Sequence, residues 1–194
     1  MVSGLKKQLR QQALAARGQG GDDEAMTRHL LEVLVPHRGK VLAGYWPMRD
    51  EADPRPAISA HDGPVCLPVV TGPARPLEFR AFDGRLEAGS FGTSHPPADS
   101  PVMQPQVLIV PLAGFDREGH RLGYGGGFYD RTLEILRTSG PVVAIGLAYA
   151  VQEIRSIPVE PTDQSLDMIV TDQGVILPQP QNSQVNPDGT KSQS

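Results

Sequence analysis

Four glycines in five positions, Gly123, Gly125, Gly126 and Gly127, lie between an apolar run from Val107 to Val110 and a stretch where Phe128, Thr132, Leu133 and Leu136 recur at helical spacing. The run reads as a buried strand stopped by Pro111, and the later residues as a helix. Strand, glycine-rich loop and helix in that order place backbone N–H groups and the positive end of a helix dipole at the loop, where an anion can bind. Glycine suits such a loop because it permits φ > 0 and a close approach of backbone to ligand. Neither standard phosphate signature is present. A Walker A loop ends in Gly-Lys-Ser/Thr, a triplet the chain lacks. A G-x-G-x-x-G fingerprint can start at Gly123 and Gly125, but Phe128 holds its third glycine position and the strand Val142 to Leu147 supplies no acid. On residue types alone the cluster is as much a flexible turn as an anion cradle.

The cations available to such a loop are Lys6, Lys7, Arg10 and Arg17 near the start of the chain, with Arg121 and Arg131 flanking the glycines. Lys6 and Arg10 are i, i+4 neighbours, so one ligand could meet both, although a solvated basic stripe is the simpler reading. Arg121 and Arg131 could grip phosphate oxygens bidentately or remain surface charges. Taken by position alone, Asp130 is a helix N-terminal charge, while Glu51 and Asp167 are loop acids.

The elements that must position these residues follow from periodicity and punctuation. Ser3 can cap a helix reaching about Arg17, with Leu5, Leu9 and Ala13 along one face. Gly18 to Gly21 break it, and Asp22 or Asp23 caps a second helix ending near Pro36. Strands are expected at Val41 to Trp46, Val65 to Val70, Leu77 to Phe82, Val107 to Val110, Val142 to Leu147, Met168 to Thr171 and Val175 to Leu177, with a short helix at Pro56 to His61. Leu77, Phe79 and Ala81 alternate with Glu78 and Arg80, which fits an edge or hairpin strand with one wet face. Strands interleaved with helices predict a single layered α/β domain over 1–177 with a largely parallel sheet. The ligand site is then expected beyond the carboxyl ends of the strands, where Pro47 to Glu51 and the glycine loop both emerge. From Pro178 to Ser194 the chain is rich in Gln, Asn, Pro and Ser, with too little apolar surface to offset ordering entropy, and this tail is expected to be disordered.

Composition narrows the classes further. A chain of 194 residues suits one domain with a full core. The formal net charge of −4 argues against a broad electrostatic grip on nucleic acid. No signal peptide is apparent and no apolar run approaches roughly 18 residues, so the expectation is a cytoplasmic protein without a membrane partner, acting as a monomer. The lone cysteine, Cys66, sits among Val65, Leu67 and Val69 as a core strand thiol, and no Cys-x-x-Cys or His-x-Glu pattern offers a zinc site.

The segment Arg121-Leu122-Gly123-Tyr124-Gly125-Gly126-Gly127-Phe128-Tyr129-Asp130-Arg131, preceded by Val110-Pro111-Leu112-Ala113-Gly114-Phe115-Asp116, resembles the signature of the 5-formyltetrahydrofolate cyclo-ligase family. Lys6 to Arg10 is similar to that family's basic N-terminal helix and Tyr45 to Glu51 to its folate-contacting loop. Phe91-Gly92-Thr93 and Asp163 to Asp167 match later elements, so the resemblance spans about residues 3 to 177. It implies a Rossmann-like three-layer α/β fold. It also implies ATP- and Mg²⁺-dependent closure of 5-formyltetrahydrofolate, with or without a polyglutamate tail, to 5,10-methenyltetrahydrofolate. Carried onto this chain, ATP falls to Lys6, Arg10, Arg121, Gly123, Gly125, Gly126, Gly127, Asp130 and Arg131, and the metal to Asp130 and Asp167. Met48, Glu51, Tyr124 and Tyr129 face the folate, with Arg121 and Tyr129 in the catalytic roles. A carboxylate at Glu51 can accept two parallel hydrogen bonds from the amino-pyrimidine edge of a pterin. Trp46 could pack on the ring or in the core. Two positions depart from the family's pattern: Gly126 stands where many members carry Lys, and His95 precedes Pro96 where an acid is common. A binding paralogue without turnover, an RNA-binding module and a sugar-phosphate isomerase on a related fold are the competing readings.

Overall fold

The computed structural model describes residues 2–178. In chain order it contains α1 (Val2–Arg17), α2 (Asp23–Leu34), β1 (Leu42–Ala43), α3 (Arg55–Ala60), β2 (Val65–Val69), β3 (Glu78–Ala81), β4 (Glu87–Ala88) and β5 (Ser94–His95). There follow β6 (Val107–Pro111), β7 (Gly114–Phe115), β8 (Arg121–Leu122), α4 (Phe128–Ser139), β9 (Val143–Leu147), β10 (Met168–Thr171) and β11 (Gly174–Ile176). The expected tail lies, apart from Pro178, outside the described residues.

Seven strands form one sheet in the order β11-β10-β9-β6-β1-β2-β3. The pairs joining β10, β9, β6, β1 and β2 are parallel, and antiparallel β11 and β3 close the two edges. Alternation along β6 explains the layers. Val107 and Ile109 join a core with Met26 and Leu30 of α2 and Ile58 of α3, whereas Leu108 and Val110 join one with Leu133 and Leu136 of α4. Both faces are covered, and strands buried on both faces read as continuous apolar runs. Three layers and a largely parallel sheet therefore match the sequence expectation.

The differences are local. The strand expected from Val41 to Trp46 pairs as a ladder only at Leu42–Ala43; Gly44 N–H still donates to Cys66 O at 3.0 Å before the chain turns away. The turn is fixed by Tyr45, whose hydroxyl donates to Ala52 O at 2.5 Å. Two hairpins, β4–β5 and β7–β8, leave no trace in the periodicity, because two-residue strands are too short to alternate. Asp22 is the cap of α2, its side chain accepting from Ala25 N. Among the described residues no helix is long and apolar enough to cross a membrane.

The β7–β8 hairpin delivers the chain to the glycine loop. Its tip is organised by Asp116, 1% exposed. Asp116 Oδ1 accepts from Glu118 N and His120 N, both at 3.0 Å, and Oδ2 accepts from Ile157 N at 2.9 Å and meets His120 Nδ1 at 3.0 Å. With its oxygens committed in this way, the Asp116, Glu118 and His120 cluster locks a hairpin. Asp116→Ala would leave buried backbone donors without an acceptor and should lower unfolding stability by about 2–4 kcal/mol in urea titration. A loss below about 0.5 kcal/mol would show that the hairpin does not depend on this carboxylate.

Candidate active site

Because the central strands are parallel, their carboxyl ends share one edge of the sheet, and the loops leaving them, the glycine loop included, enclose a groove of ≈ 1190 Å³. That exceeds the roughly 300–1,000 Å³ typical for one drug-sized ligand. A smaller depression of ≈ 640 Å³ lies elsewhere, on the outer face of α2 between Asp23 and Val35, and holds none of the expected ATP, folate or metal residues.

On one side of the groove the loop from Gly123 to Gly127 runs into α4. Gly125 at φ 93° and Gly127 at φ 64° take up left-handed conformations that other residues adopt only with strain. No side chain caps α4. Arg10 Nε donates to Gly123 O at 2.5 Å and Arg131 Nη2 to Gly126 O at 2.6 Å, so two guanidinium groups hold loop carbonyls. The backbone N–H groups of residues 123 to 127 have no hydrogen-bond partner among the described residues. Unpaired amides at an uncapped helix N-terminus make an anion site.

On the other side stands the turn from Pro47 to Glu51. Glu51 is 8% exposed. Its Oε2 accepts from Met48 N at 2.8 Å while its own N–H donates to Met48 O at 3.1 Å, closing the turn on itself. Oε1 accepts a short hydrogen bond from Tyr124 of the glycine loop. Trp46 packs on Phe82 at 5.7 Å between ring centroids and carries Arg55 5.3 Å from its ring centroid, which is the packing alternative, although it still lines the groove. Phe91, exposed at φ 59°, stands on the rim.

Of the expected cations, Lys6, Lys7, Arg10, Arg17 and Arg121 line the groove and Arg131 does not; Lys6, Arg17 and Arg121 are already engaged by acids. Lys6 bonds Glu160 at 2.8 Å and Asp163 at 2.5 Å. Burial pulls the Lys6 pKa down, but the two acids outweigh it and leave the ammonium held above its ordinary value. Arg121 Nη1 and Nη2 both donate to Asp130 Oδ1 at 2.8 Å, and Nη1 also to Gln164 O at 2.9 Å. Arg121 thus fixes the Asp130 carboxylate as it stands rather than presenting an open fork. Tyr129 lines the groove, and burial followed by the Glu51 charge raises its phenol pKa, so at neutral pH it keeps its proton and can donate it in a hydrogen bond. Its hydroxyl makes no hydrogen bond among the described residues.

One expected grouping is corrected. Asp167 does not share the groove with Asp130: its Oδ2 accepts from Ala144 N at 2.7 Å, at the amino end of β9, and from Arg137 at 3.2 Å. Arg137 lies seven residues beyond Asp130 along α4, about 10 Å on, too far for one small cation to span. Asp163, on the same sequence segment, does line the groove. The segment 163–167 runs from the carboxyl-end edge of the sheet to the amino-end edge, so its two acids face different regions. Sequence reasoning also underrates Arg17. It shares a stripe with Lys6 and Arg10, since the eleven steps from residue 6 to residue 17 make about three helical turns, and that spacing is a signal the sequence carries. Arg17 is 4% exposed. It donates from Nη2 to Asp50 Oδ1 at 2.6 Å and from Nη1 to Tyr124 Oη at 2.6 Å.

A family model for the 5-formyltetrahydrofolate cyclo-ligase family matches residues 2–172. The chain belongs to that family. A 5-formyltetrahydrofolate cyclo-ligase of Haemophilus influenzae is 30% identical over 168 residues, covering 81% of this chain and 89% of the relative. The Escherichia coli K12 protein of the same name is 44% identical over 71 residues, 37% of this chain and 38% of its own length. The NMR structure of Aquifex aeolicus 5,10-methenyltetrahydrofolate synthetase superposes with a TM-score of 0.71 at 25% identity, covering 96% of this chain and all of that one (100%). A 5,10-methenyltetrahydrofolate synthetase from Mycoplasma pneumoniae shares the fold, with a TM-score of 0.68 at 24% identity over 86% of this chain and 98% of that one. Within the family's glycine motif, Gly126 has a physical reason here: a Cβ would lie 2.6 Å from the Phe128 ring, on whose face the Arg131 guanidinium sits at 5.4 Å.

The Asp50–Arg17 pair carries a pH signature. The hydrogen bond from Arg17 holds the Asp50 carboxyl below its ordinary value of 3.8. A depressed folded-state pKa contributes stability above the unfolded value and loses it as pH falls through the folded one. The stability advantage of wild type over Asp50→Asn should therefore shrink as pH is lowered from about 6 to about 2 in urea titrations. An advantage constant across that range would mean that the pair does not hold the carboxylate.

Proposed function

We propose that this protein closes 5-formyltetrahydrofolate to 5,10-methenyltetrahydrofolate, with ATP converted to ADP and phosphate. One observation carries the reading: a single groove sets a loop of unpaired amides opposite a buried carboxylate, Glu51, with Tyr124 spanning the two. The first suits a polyphosphate, the second the donor-rich edge of a pterin.

The chemistry asks for positioning and charge neutralisation. The formyl oxygen attacks the γ-phosphorus as the bond to the β-phosphate oxygen breaks and ADP leaves. The activated carbon then accepts the lone pair of N10, which loses its proton; the C–O bond breaks and phosphate departs. Glu51 holds the pterin, fixing where the formyl group points. The amides of residues 123 to 127 and the N-terminus of α4 hold phosphate oxygens, and this alignment supplies much of the acceleration in such transfers. Tyr129, protonated and unengaged beside them, can donate a hydrogen bond to the oxygen on which negative charge collects. Arg131 does not line the groove and acts through the loop, holding Gly126 O.

The carboxylates fit a magnesium ion bound with the nucleotide, because Mg²⁺ takes one or two acids together with phosphates and waters. Asp130 and Asp163, both at the groove, are the residues that would hold it. When bound, the ion would offset the negative charge of the transferring phosphoryl group. Lys6 would then exchange Glu160 and Asp163 for phosphate oxygens.

The deciding experiment follows methenyltetrahydrofolate spectrophotometrically with purified protein. Product is expected only when 5-formyltetrahydrofolate, ATP and a divalent metal are all present. Saturable binding of both substrates without product would favour a binding paralogue instead. A second test separates the acids. Asp130→Asn and Asp163→Asn should each raise the metal concentration for half-maximal rate about tenfold or more, whereas Asp167→Asn should not. If Asp167→Asn alone moved it, the placement of the metal would be wrong.

A further inference from the structure

Arg17, Tyr124 and Glu51 form a chain of hydrogen bonds whose direction is fixed by chemistry. A guanidinium has donors only, so where Arg17 Nη1 meets Tyr124 Oη at 2.6 Å the phenol oxygen must accept. Its single O–H is then committed to Glu51 Oε1. Asp50, accepting at Oδ1 from Nε at 3.1 Å and Nη2 at 2.6 Å, holds the other side of the same guanidinium. The guanidinium carbon also lies 5.9 Å from the Tyr124 ring centroid, within cation–π range. Three chain segments meet here: the last turn of α1, the Pro47–Glu51 turn and the glycine loop.

Resting on the proposed cyclisation of 5-formyltetrahydrofolate, we propose that Arg17 is a positioning residue which, through Tyr124, couples the phosphate loop to the Glu51 carboxylate, so that nucleotide and folate bind cooperatively. Tyr124 lies inside the run of unpaired amides. Phosphate on those amides fixes the loop backbone and hence the place from which the Tyr124 hydroxyl reaches Glu51. An acceptor already ordered costs the incoming pterin less entropy, and linkage makes the effect reciprocal. Tyr124 is about half exposed and would swing freely without Arg17, which is buried and anchored by Asp50. Burial and the Glu51 charge raise the Tyr124 pKa against the opposing pull of Arg17, so the donor stays protonated at neutral pH. Lysine at position 17 could not reproduce the fork that grips Asp50 and Tyr124 together.

Calorimetry on the full chain tests this. The affinity for 5-formyltetrahydrofolate is measured with and without a non-hydrolysable ATP analogue and Mg²⁺. In wild type the analogue should tighten folate binding about fivefold or more. In Tyr124→Phe, which keeps the ring and removes only the hydroxyl, that ratio should fall to about one, and Arg17→Lys should behave alike. A packing role for Arg17 would lower stability but leave the ratio untouched, and a ratio retained in Tyr124→Phe overturns the coupling. A wild type that binds both ligands with a ratio near one also overturns it while sparing the proposed function. A wild type that binds no 5-formyltetrahydrofolate removes both.

Discussion

The site depends on a loop whose amides remain unpaired. From Gly123 to Gly127 the backbone N–H groups have no partner among the described residues, a state a folded chain tolerates only where water or a ligand can reach it. What keeps the loop from collapsing onto itself is the engagement of its carbonyls. Arg10 reaches in from α1 to Gly123 O, and Arg131 reaches back from α4 to Gly126 O. The two helices are placed by different parts of the fold: α4 by the core it shares with Leu108 and Val110, and α1 by Leu9 and Leu14 against Leu122 and Ile157. Removing either support would free a carbonyl to take an amide, closing the cradle.

Electrostatics in the groove follow from the same economy. The chain carries a formal net charge of −4, and three of the cations at the groove are matched by acids: Lys6 with Glu160 and Asp163, Arg17 with Asp50, Arg121 with Asp130. Buried charges without partners are costly, so pairing lets the unliganded protein keep them in place. The pairs differ in what they leave available. Arg121 is held by Asp130 and a backbone carbonyl, which makes it a fixture, whereas Lys6 faces two acids that a phosphate and a cation could take over together. The Arg17 side chain, only 5% exposed, is as buried as that of Arg121, which suits a residue that orders others.

Much of this was legible in one dimension because the signals were periodic or chemically restrictive. The apolar run Val107 to Val110, the alternation around Phe79 and the helical spacing after Phe128 each gave an element close to its observed bounds. The strand expected through Trp46 was cut to two ladder residues, since the turn that carries Glu51 is fixed by Tyr45 reaching Ala52, a contact with no sequence period. The two short hairpins were invisible for a related reason: their order comes from contacts such as those of Asp116 with Ile157, 41 residues apart.

By itself, the sequence determined the layered α/β architecture, the glycine loop at a helix N-terminus and the approach of Glu51, because strand and helix periods and the conformational freedom of glycine are local properties. Tertiary structure decided how the charges are shared out. It placed Asp163 in the groove and Asp167 at the opposite end of the strands, although four positions separate them, because the connecting chain runs along the sheet rather than across it. It gave Arg121 to Asp130 and brought Arg17, Tyr124 and Glu51 into one chain of hydrogen bonds across 107 and 73 residues. A charged side chain carries no mark in sequence of the partner that will face it; only the packing of the elements that carry both can assign one.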